Sequence, residues 1–117
     1  MVGTPVLGPA ACETVAPSAV VWVNGRRAVV VAIGREGNIS TCEIGRGWWG
    51  QATYLAHVAR AIGDRQRVVI LGPSSVRLAL ERTYVATFQR RDRLVDVEPA
   101  GLVPTDELLD RLHTLAA

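Results

Sequence analysis

The chain has 117 residues and a net charge of +2, and 49% of its residues are hydrophobic. This length is typical of one domain with one core, the apolar content excludes a disordered chain, and the small net charge by itself predicts no partner. No apolar segment approaches the roughly 20 residues of a membrane-spanning helix and no signal peptide is recognisable, so we expect a cytoplasmic protein without a membrane partner.

The first 18 residues contain three prolines and two glycines, a spacing that forbids a long helix or strand. We predict a flexible arm over residues 1–18, followed by a single α/β domain over residues 19–117. Cys12 lies on the arm and Cys42 in the domain. Two cysteines without metal-binding spacing predict reduced thiols, and we expect neither a metal site nor a cofactor.

Three strands are predicted next. Residues 19–23 form a compact apolar strand, and Asn24 with Gly25 is a strong hairpin signal, because both residues of such a turn adopt positive φ. The second strand, over residues 26–33, is almost entirely apolar, which indicates a strand covered on both faces. A third strand over residues 39–44 completes an antiparallel three-stranded meander.

Helices and strands alternate after the meander. A helix is predicted at about residues 50–62, with its apolar residues at helical spacing. Short apolar strands at residues 67–71 and 94–97 each precede a further helix. The order β-β-β-α-β-α-β-α predicts a single α/β domain with a mixed sheet, in which the antiparallel meander is followed by α-β-α-β-α. This order resembles that of ribonuclease H-like folds.

The first strand argues against a metal-dependent nuclease. Such enzymes carry a carboxylate in the middle of that strand, where it bridges two metal ions, and residues 19–23 contain none. Glu43, Asp96 and Glu98 lie on other strands. Exposure to solvent or pairing with nearby arginines explains these carboxylates without a metal site. Sugar kinases and actin-like ATPases are disfavoured for the same reason, and because residues 24–26 have too few glycines to wrap a phosphate chain.

The segment 45–51 joins the meander to the first helix and holds two of the three tryptophans, three glycines and an arginine. It resembles the Gly-Arg-Gly-Gly-Gln loop in the middle domain of eukaryotic and archaeal class-1 peptide release factors, with Trp48 and Trp49 between the glycines. Bacterial relatives of these factors have a variant loop with glycine, tryptophan and glutamine, which the segment resembles more closely. The strand-glycine-proline step at residues 68–73 also resembles this wider family.

The resemblance implies a translation-associated domain that binds the ribosome or tRNA, with a rescue-type peptidyl-tRNA hydrolase as its catalytic form. By the resemblance, Gln51 would orient the attacking water, and Gly50 would allow the backbone to approach the ester. Arg46 would contact RNA phosphate, while Trp48 and Trp49 would stack on a terminal base. The tryptophans interrupt the paired glycines and no codon-reading domain is recognisable, so stop-codon-specific termination is not implied.

An interaction module without catalysis is the alternative from a different class. Here Trp48 and Trp49 form a contact with a second copy or another protein, or fold back as a plug on the sheet, and the glycines only turn the chain. Gln51 is then simply the first residue of a helix. Whether the protein is an enzyme, and whether it forms a homo-oligomer, therefore stay open at this point.

All 13 basic residues are arginine, which is typical of proteins from GC-rich, actinobacterial-type genomes and also suits phosphate recognition. The densest basic run contains Arg90, Arg91 and Arg93. A solvated loop is the default interpretation of this run, and the functional alternative, for which these three residues are the nucleic-acid-binding candidates, is contact with an RNA backbone. His57 is expected to be exposed and to have no partner for acid–base catalysis.

Overall fold

The computed structural model describes residues 16–117. Residues 1–15, which include Cys12 and most of the predicted arm, lie outside the described residues. The described elements follow the predicted order: β1 (Ser18–Val23), β2 (Arg27–Ile33), β3 (Ile39–Gly45), α1 (Gln51–Ile62), β4 (Arg67–Gly72), α2 (Val76–Phe88), β5 (Leu94–Pro99) and α3 (Thr105–Ala116). A short 3-10 turn, Arg91–Arg93, precedes β5. None of the described helices is both long and apolar enough to cross a membrane.

The five strands form one mixed sheet in the order β3-β2-β1-β4-β5. The β1–β2 and β2–β3 pairs are antiparallel, and the β1–β4 and β4–β5 pairs are parallel. The predicted ribonuclease H-like α/β fold is therefore confirmed. β1 lies at the centre and all six of its side chains are buried, because helices cover both faces of the sheet there and the strand carries no charged residue.

Two apolar cores lie on the two faces of the sheet. α1 and α2 cover one face, and the apolar stripe predicted for α1 is buried there as expected: Tyr54, Leu55, Val58, Ala59 and Ile62. α3 covers the other face, where Leu108 and Leu112 pack against Trp22 of β1. The Trp22 indole Nε1 donates a hydrogen bond of 2.7 Å to the Gly101 carbonyl, which ties the loop before α3 to the central strand.

The turn after β1 differs from the prediction. Neither Asn24 nor Gly25 has a positive φ, so this is not the mirror-image two-residue turn that the sequence suggested. The Asn24 Oδ1 instead accepts the N–H groups of Arg26 and Arg27, both at 2.8 Å. An asparagine side chain that bonds the backbone ahead of it closes a wider turn without any left-handed residue.

Five strand boundaries also differ from the prediction by one or two residues. β2 begins one residue late, at Arg27, and β3 and β4 each end one residue late. β1 begins at Ser18, one residue early, because Ser18 already pairs with Ile33 of β2 and with Arg67 of β4. The buried Ser18 hydroxyl donates to the Ala16 carbonyl at 2.7 Å. The Pro17 carbonyl accepts the Gln66 N–H at 2.8 Å, which joins this segment to the start of β4. β5 continues to Pro99 because its parallel pairing with β4 extends that far.

The two ends of the sheet carry different loops. β1, β3, β4 and β5 run in the same direction, so the loops that follow them lie at one end, which we call the loop end. All three described helices begin there. The opposite end, which we call the far end, carries the connections at residues 63–66 and 89–93. Gly72 closes β4 at the loop end, in such close contact with β1 that a Cβ would overlap the Val23 carbonyl oxygen.

Candidate functional site

Residues 45–51, which we call the tryptophan loop, form a defined turn at the loop end. The Arg46 N–H donates to the Arg26 carbonyl at 2.8 Å, which continues the β2–β3 ladder by one step. The Trp49 N–H then donates to the Arg46 carbonyl at 3.1 Å. Gly47 lies inside this turn with a φ of +55°, the left-handed region that favours glycine. The glycine therefore serves the shape of the turn.

The Arg46 side chain braces the loop. Its Nε donates to the Trp49 carbonyl at 2.9 Å, and its Nη1 donates to the Gly25 carbonyl at 3.2 Å. These bonds join the tryptophan loop to the β1–β2 turn and occupy two of the five guanidinium donors. Arg46 also lines an open groove with Gly25, Arg26 and Gly47. A phosphate contact of the predicted kind would have to use the donors that remain.

The two tryptophans, predicted as a pair, occupy different environments. The Trp49 indole is stacked on the His57 imidazole of α1, with ring centroids 4.0 Å apart and planes 4° apart. Trp48 is fully exposed, and no side chain among residues 16–117 covers its indole. His57 is exposed, as expected, and its observed partner is an aromatic ring rather than an acid or a nucleophile.

Gln51 and Gly50 lie at the start of α1. Gly50 is extended, with φ −67° and ψ 166°, and its carbonyl accepts the first helical hydrogen bond, from Tyr54 at 3.0 Å. No side chain of residues 16–117 caps this helix, so its first N–H groups and the positive end of its dipole face outward. The exposed Gln51 side chain borders a groove between α1 and α2 that also contacts Leu55 and Arg82.

Tyr54 supports the loop from below. Its hydroxyl donates to the Asn24 carbonyl at 3.0 Å, so α1 is tied to the β1–β2 turn next to the Arg46 brace. Burial raises the pKa of Tyr54 to about 12, and the nearby Arg46 charge offsets part of this rise. The β1–β2 turn, the Arg46 side chain and the buried Tyr54 phenol together therefore hold the tryptophan loop in place.

The two tyrosines of the chain allow a test of this packing. Burial also raises the pKa of Tyr84, whose hydroxyl donates to the Gly63 carbonyl at 2.8 Å and accepts the Arg65 N–H. We expect ultraviolet titration of the folded protein to show no tyrosinate near pH 10, where a free tyrosine is about half ionised. For Tyr54, the raised folded-state pKa gives stability that is complete below about pH 10 and is lost as the pH approaches 12.

The titration is followed together with circular dichroism, so that ionisation can be compared with unfolding. Tyr54→Phe serves as the control, since it should reduce the steepness of the alkaline loss of stability. Tyrosinate that forms near pH 10 while the dichroism stays native would contradict the burial of both phenols.

The predicted arginine run lies at the far end, before β5. Arg93 is committed to structure, because its Nη1 donates to the Arg65 carbonyl at 3.0 Å and lies 3.3 Å from the Asp64 Oδ1. Arg90 and Arg91 are exposed. The six-residue strand β1 separates the two ends by about 20 Å at roughly 3.3 Å per residue. The arginine run and the tryptophan loop therefore do not form one site.

The strand carboxylates are largely paired with arginines. Glu43 lies 2.6 Å from Arg27, and Glu98 accepts hydrogen bonds from Arg111. Hydrogen bonding from Arg111 lowers the pKa of Glu98, whereas a hydrogen bond shared with Glu98 raises the pKa of Asp96. Within residues 16–117, no three His, Cys, Asp or Glu side chains come together in a way that could hold a metal ion.

Comparisons with known proteins find likeness in structure. No family model matches the chain, and no curated protein matches it in sequence. Archaeoglobus fulgidus Pelota superposes with a TM-score of 0.63 at 11% identity, over 87% of this chain and 32% of that protein. Thermoplasma acidophilum Pelota superposes with a TM-score of 0.57 at 20% identity, over 87% of this chain and 33% of that protein.

A third similar structure is that of Dom34 from S. cerevisiae, a translation termination-like factor that is involved in RNA quality control pathways and interacts with Hbs1. It superposes with a TM-score of 0.57 at 9% identity, over 91% of this chain and 38% of that protein. At such identities the likeness shows the fold alone. The chain spans between 32% and 38% of these three proteins, and its α/β fold is one that a part of Pelota and a part of Dom34 also have.

Proposed function

We propose that this chain is a translation-associated domain that binds the ribosome or tRNA through the tryptophan loop. Two independent lines support the proposal. The fold is similar to part of Pelota and of Dom34, and Dom34 is a translation termination-like factor. The loop itself resembles the one in the middle domain of class-1 release factors, which we propose as the specific counterpart of this chain. Ribosome binding would place the protein in the cytoplasm.

The exposure of Trp48 is the observation that carries this proposal. A fully exposed indole is an unfavourable surface for a monomer, and here the turn beneath it is braced by Arg46 instead of collapsing onto the sheet. Stacking on one nucleic-acid base is worth about 1–3 kcal/mol. The Arg26 and Arg46 groove beside it would supply positive charge for the adjoining phosphate.

Peptidyl-tRNA hydrolysis of the rescue type is the catalytic form of the proposal. Gln51 and Gly50 lie next to Trp48, and the uncapped N-terminus of α1 directs N–H groups and positive dipole outward at the same place. Such donors stabilise the negative charge that develops on an ester oxygen during hydrolysis. In this form the Gln51 amide would hold the attacking water.

A non-catalytic protein contact remains the second candidate. The same exposed indole of Trp48 favours it, since tryptophan is enriched at the centres of protein interfaces. In this case Arg46 and Gly47 only shape the turn. The two functions differ in what the loop binds, so a binding experiment separates them.

We expect the purified protein to co-sediment with ribosomes at low and at moderate salt, and Trp48→Ala to weaken this binding by about 5- to 150-fold, the equivalent of one stacking contact. Val95→Ala is the matched control, because Val95 is an exposed apolar residue on β5, at the opposite edge of the sheet. Circular dichroism checks that both variants fold.

Each outcome of the sedimentation experiment decides between the candidates. Binding that disappears at moderate salt and is unchanged in Trp48→Ala reflects only arginine on RNA phosphate and would refute a role for the loop. No binding at either salt would refute the translation proposal and leave the protein contact.

The catalytic form has its own assay. We expect Gln51→Ala to abolish release of the peptide from peptidyl-tRNA on ribosomes while co-sedimentation persists. Gln66→Ala is the control, since Gln66 is an exposed glutamine at the far end of the sheet. Peptide release at the same rate by both variants would refute the catalytic role of Gln51. No release by either variant or by the unmodified protein would refute hydrolysis as well. Either result leaves only the binding function.

A further inference from the structure

The outer edge of β3 is an open strand edge. β3 is the first strand of the sheet order, and within residues 16–117 only β2 pairs with it. Its residues are exposed except for the half-buried Ile44. Natural edge strands usually carry a proline, a bulge or unpaired charges that block pairing. β3 has no proline and no bulge, and its one charged residue, Glu43, is already paired with Arg27.

The hydrogen-bond pattern fixes which backbone groups of β3 face outward. In an antiparallel pair, residues exchange both bonds with the neighbouring strand at every second position. The Arg46 N–H donates to the Arg26 carbonyl at one end of the β2–β3 pair. The Gly34 N–H donates to the Asn38 carbonyl at the other end. Both bonds fit the same register, which pairs Cys42 with Val30. Even-numbered residues of β3 therefore bond β2. The odd-numbered ones present their N–H and C=O groups outward: Ile39, Thr41, Glu43 and Gly45.

We propose that β3 pairs antiparallel with β3 of a second copy of this chain, across a two-fold axis at Cys42. In this register Ile39 pairs with the partner's Gly45, and Thr41 pairs with the partner's Glu43. All four outward-facing residues of each strand then find a bonding partner. A shift in either direction would leave some of them unpaired, so the strand is complementary to itself along its full length.

Side chains agree with this register. Gly45 has nothing within 4 Å of its Cβ position, which leaves room for the half-exposed Ile39 of the partner. Glu43 lies opposite the partner's Thr41, and its pairing with Arg27 reduces repulsion between the two copies. Cys42 lies opposite the partner's Cys42 in a non-hydrogen-bonded pair, for which Cα atoms are about 4.5 Å apart. That separation is within the range that a disulfide bridges.

The pairing is centred on Cys42 and uses only the backbone of β3, so it differs from a dimer built on the tryptophan side chains. We expect light scattering over a dilution series to give a mass that rises toward twice 12.6 kDa. Thr41→Pro removes an outward N–H without touching the β2 ladder, and should hold the mass at that of one chain. Thr41→Ala keeps this N–H and should still dimerise, as should Trp48→Ala. Circular dichroism confirms that each variant is folded.

Cross-linking by mild oxidation tests the register without a proline. We expect copper-phenanthroline to give a disulfide-linked dimer on a non-reducing gel for the unmodified protein and for Cys12→Ser. Cys42→Ser should abolish the dimer. A monomer mass at every concentration, a cross-link that requires Cys12, or a dimer lost in Trp48→Ala but kept in Thr41→Pro would each overturn the proposal. If another segment of the same chain paired with β3 instead of a second copy, the mass would stay that of a monomer at every concentration.

Discussion

Gly72→Ala is expected to lower the free energy of unfolding by about 3 kcal/mol or more, the upper end of the range for an overpacked interior. The added Cβ would overlap the Val23 carbonyl oxygen, which is backbone of the central strand and cannot rotate aside. Pairing of Trp22 with Leu71 holds the two strands at this spacing. Relief would require β1 and β4 to separate at the loop end. Chemical denaturation measures the loss.

Gly25→Ala provides the matched control for this substitution. Gly25 also lies at the loop end, has nothing within 4 Å of its Cβ position and has no positive φ. We expect a change within about 1 kcal/mol, since alanine also reduces the entropy of the unfolded chain. Equal losses for the two variants, or a native-like Gly72→Ala, would contradict the close approach of β1 and β4.

Trp22→Ala is expected to cost about 3–5 kcal/mol, the usual range for removing a large aromatic side chain from a core. Trp22 is 3% exposed and is the largest side chain between the sheet and α3. Its indole N–H also holds the Gly101 carbonyl, and the Arg27 guanidinium lies 5.6 Å from the ring centroid. The substitution therefore removes packing, a hydrogen bond and a cation–π contact together. Thermal and denaturant unfolding measure the effect.

Two further variants divide this loss into its parts. Trp22→Phe keeps most of the apolar volume but leaves the Gly101 carbonyl without its donor, so we expect a smaller cost of about 1–3 kcal/mol. Trp48→Ala removes the same residue type from an exposed position and should change stability by no more than about 0.5 kcal/mol. A cost for Trp48→Ala similar to that for Trp22→Ala would show that Trp48 is not exposed in solution.

Regular elements could be predicted because their apolar patterns are local. The stripe of α1 repeats at helical spacing, and the same residues, from Tyr54 to Ile62, prove to be buried. The unbroken apolar run of β2 correctly indicated a strand covered on both faces, apart from the exposed Arg27 and the half-buried Val29. The order of these elements was enough to predict the ribonuclease H-like sheet, because connection rules leave few alternatives.

Contacts between distant segments account for what the sequence could not show. Asn24 and Gly25 carry a hairpin signal, yet the turn is closed by the asparagine side chain, a choice that depends on how β2 pairs with β1. Arg46, which is predicted to contact phosphate, also donates to the carbonyl of Gly25, a residue far away in sequence, and the sequence contains no sign of this contact. The stacking of Trp49 on His57 likewise depends on where α1 begins.

The separation of the arginine run from the tryptophan loop could have been anticipated. Parallel strands begin at one end of a sheet and finish at the other. Arg93 immediately precedes β5, whereas Arg46 immediately follows β3, which runs in the same direction. Strand direction therefore assigns the two groups to opposite ends without any coordinates, whereas the tie from Arg93 to the Arg65 carbonyl is visible only in the structure.

The central place of β1 also governs the order in which the chain can fold during synthesis. One neighbour of β1, the strand β2, follows at once, whereas the other, β4, arrives only after β3 and α1 have been made. The meander and α1 can therefore assemble first, while the apolar strand β1 keeps one side unpaired. We expect newly made chains to be most prone to aggregate in this interval, which ends when β4 becomes available to pair with β1.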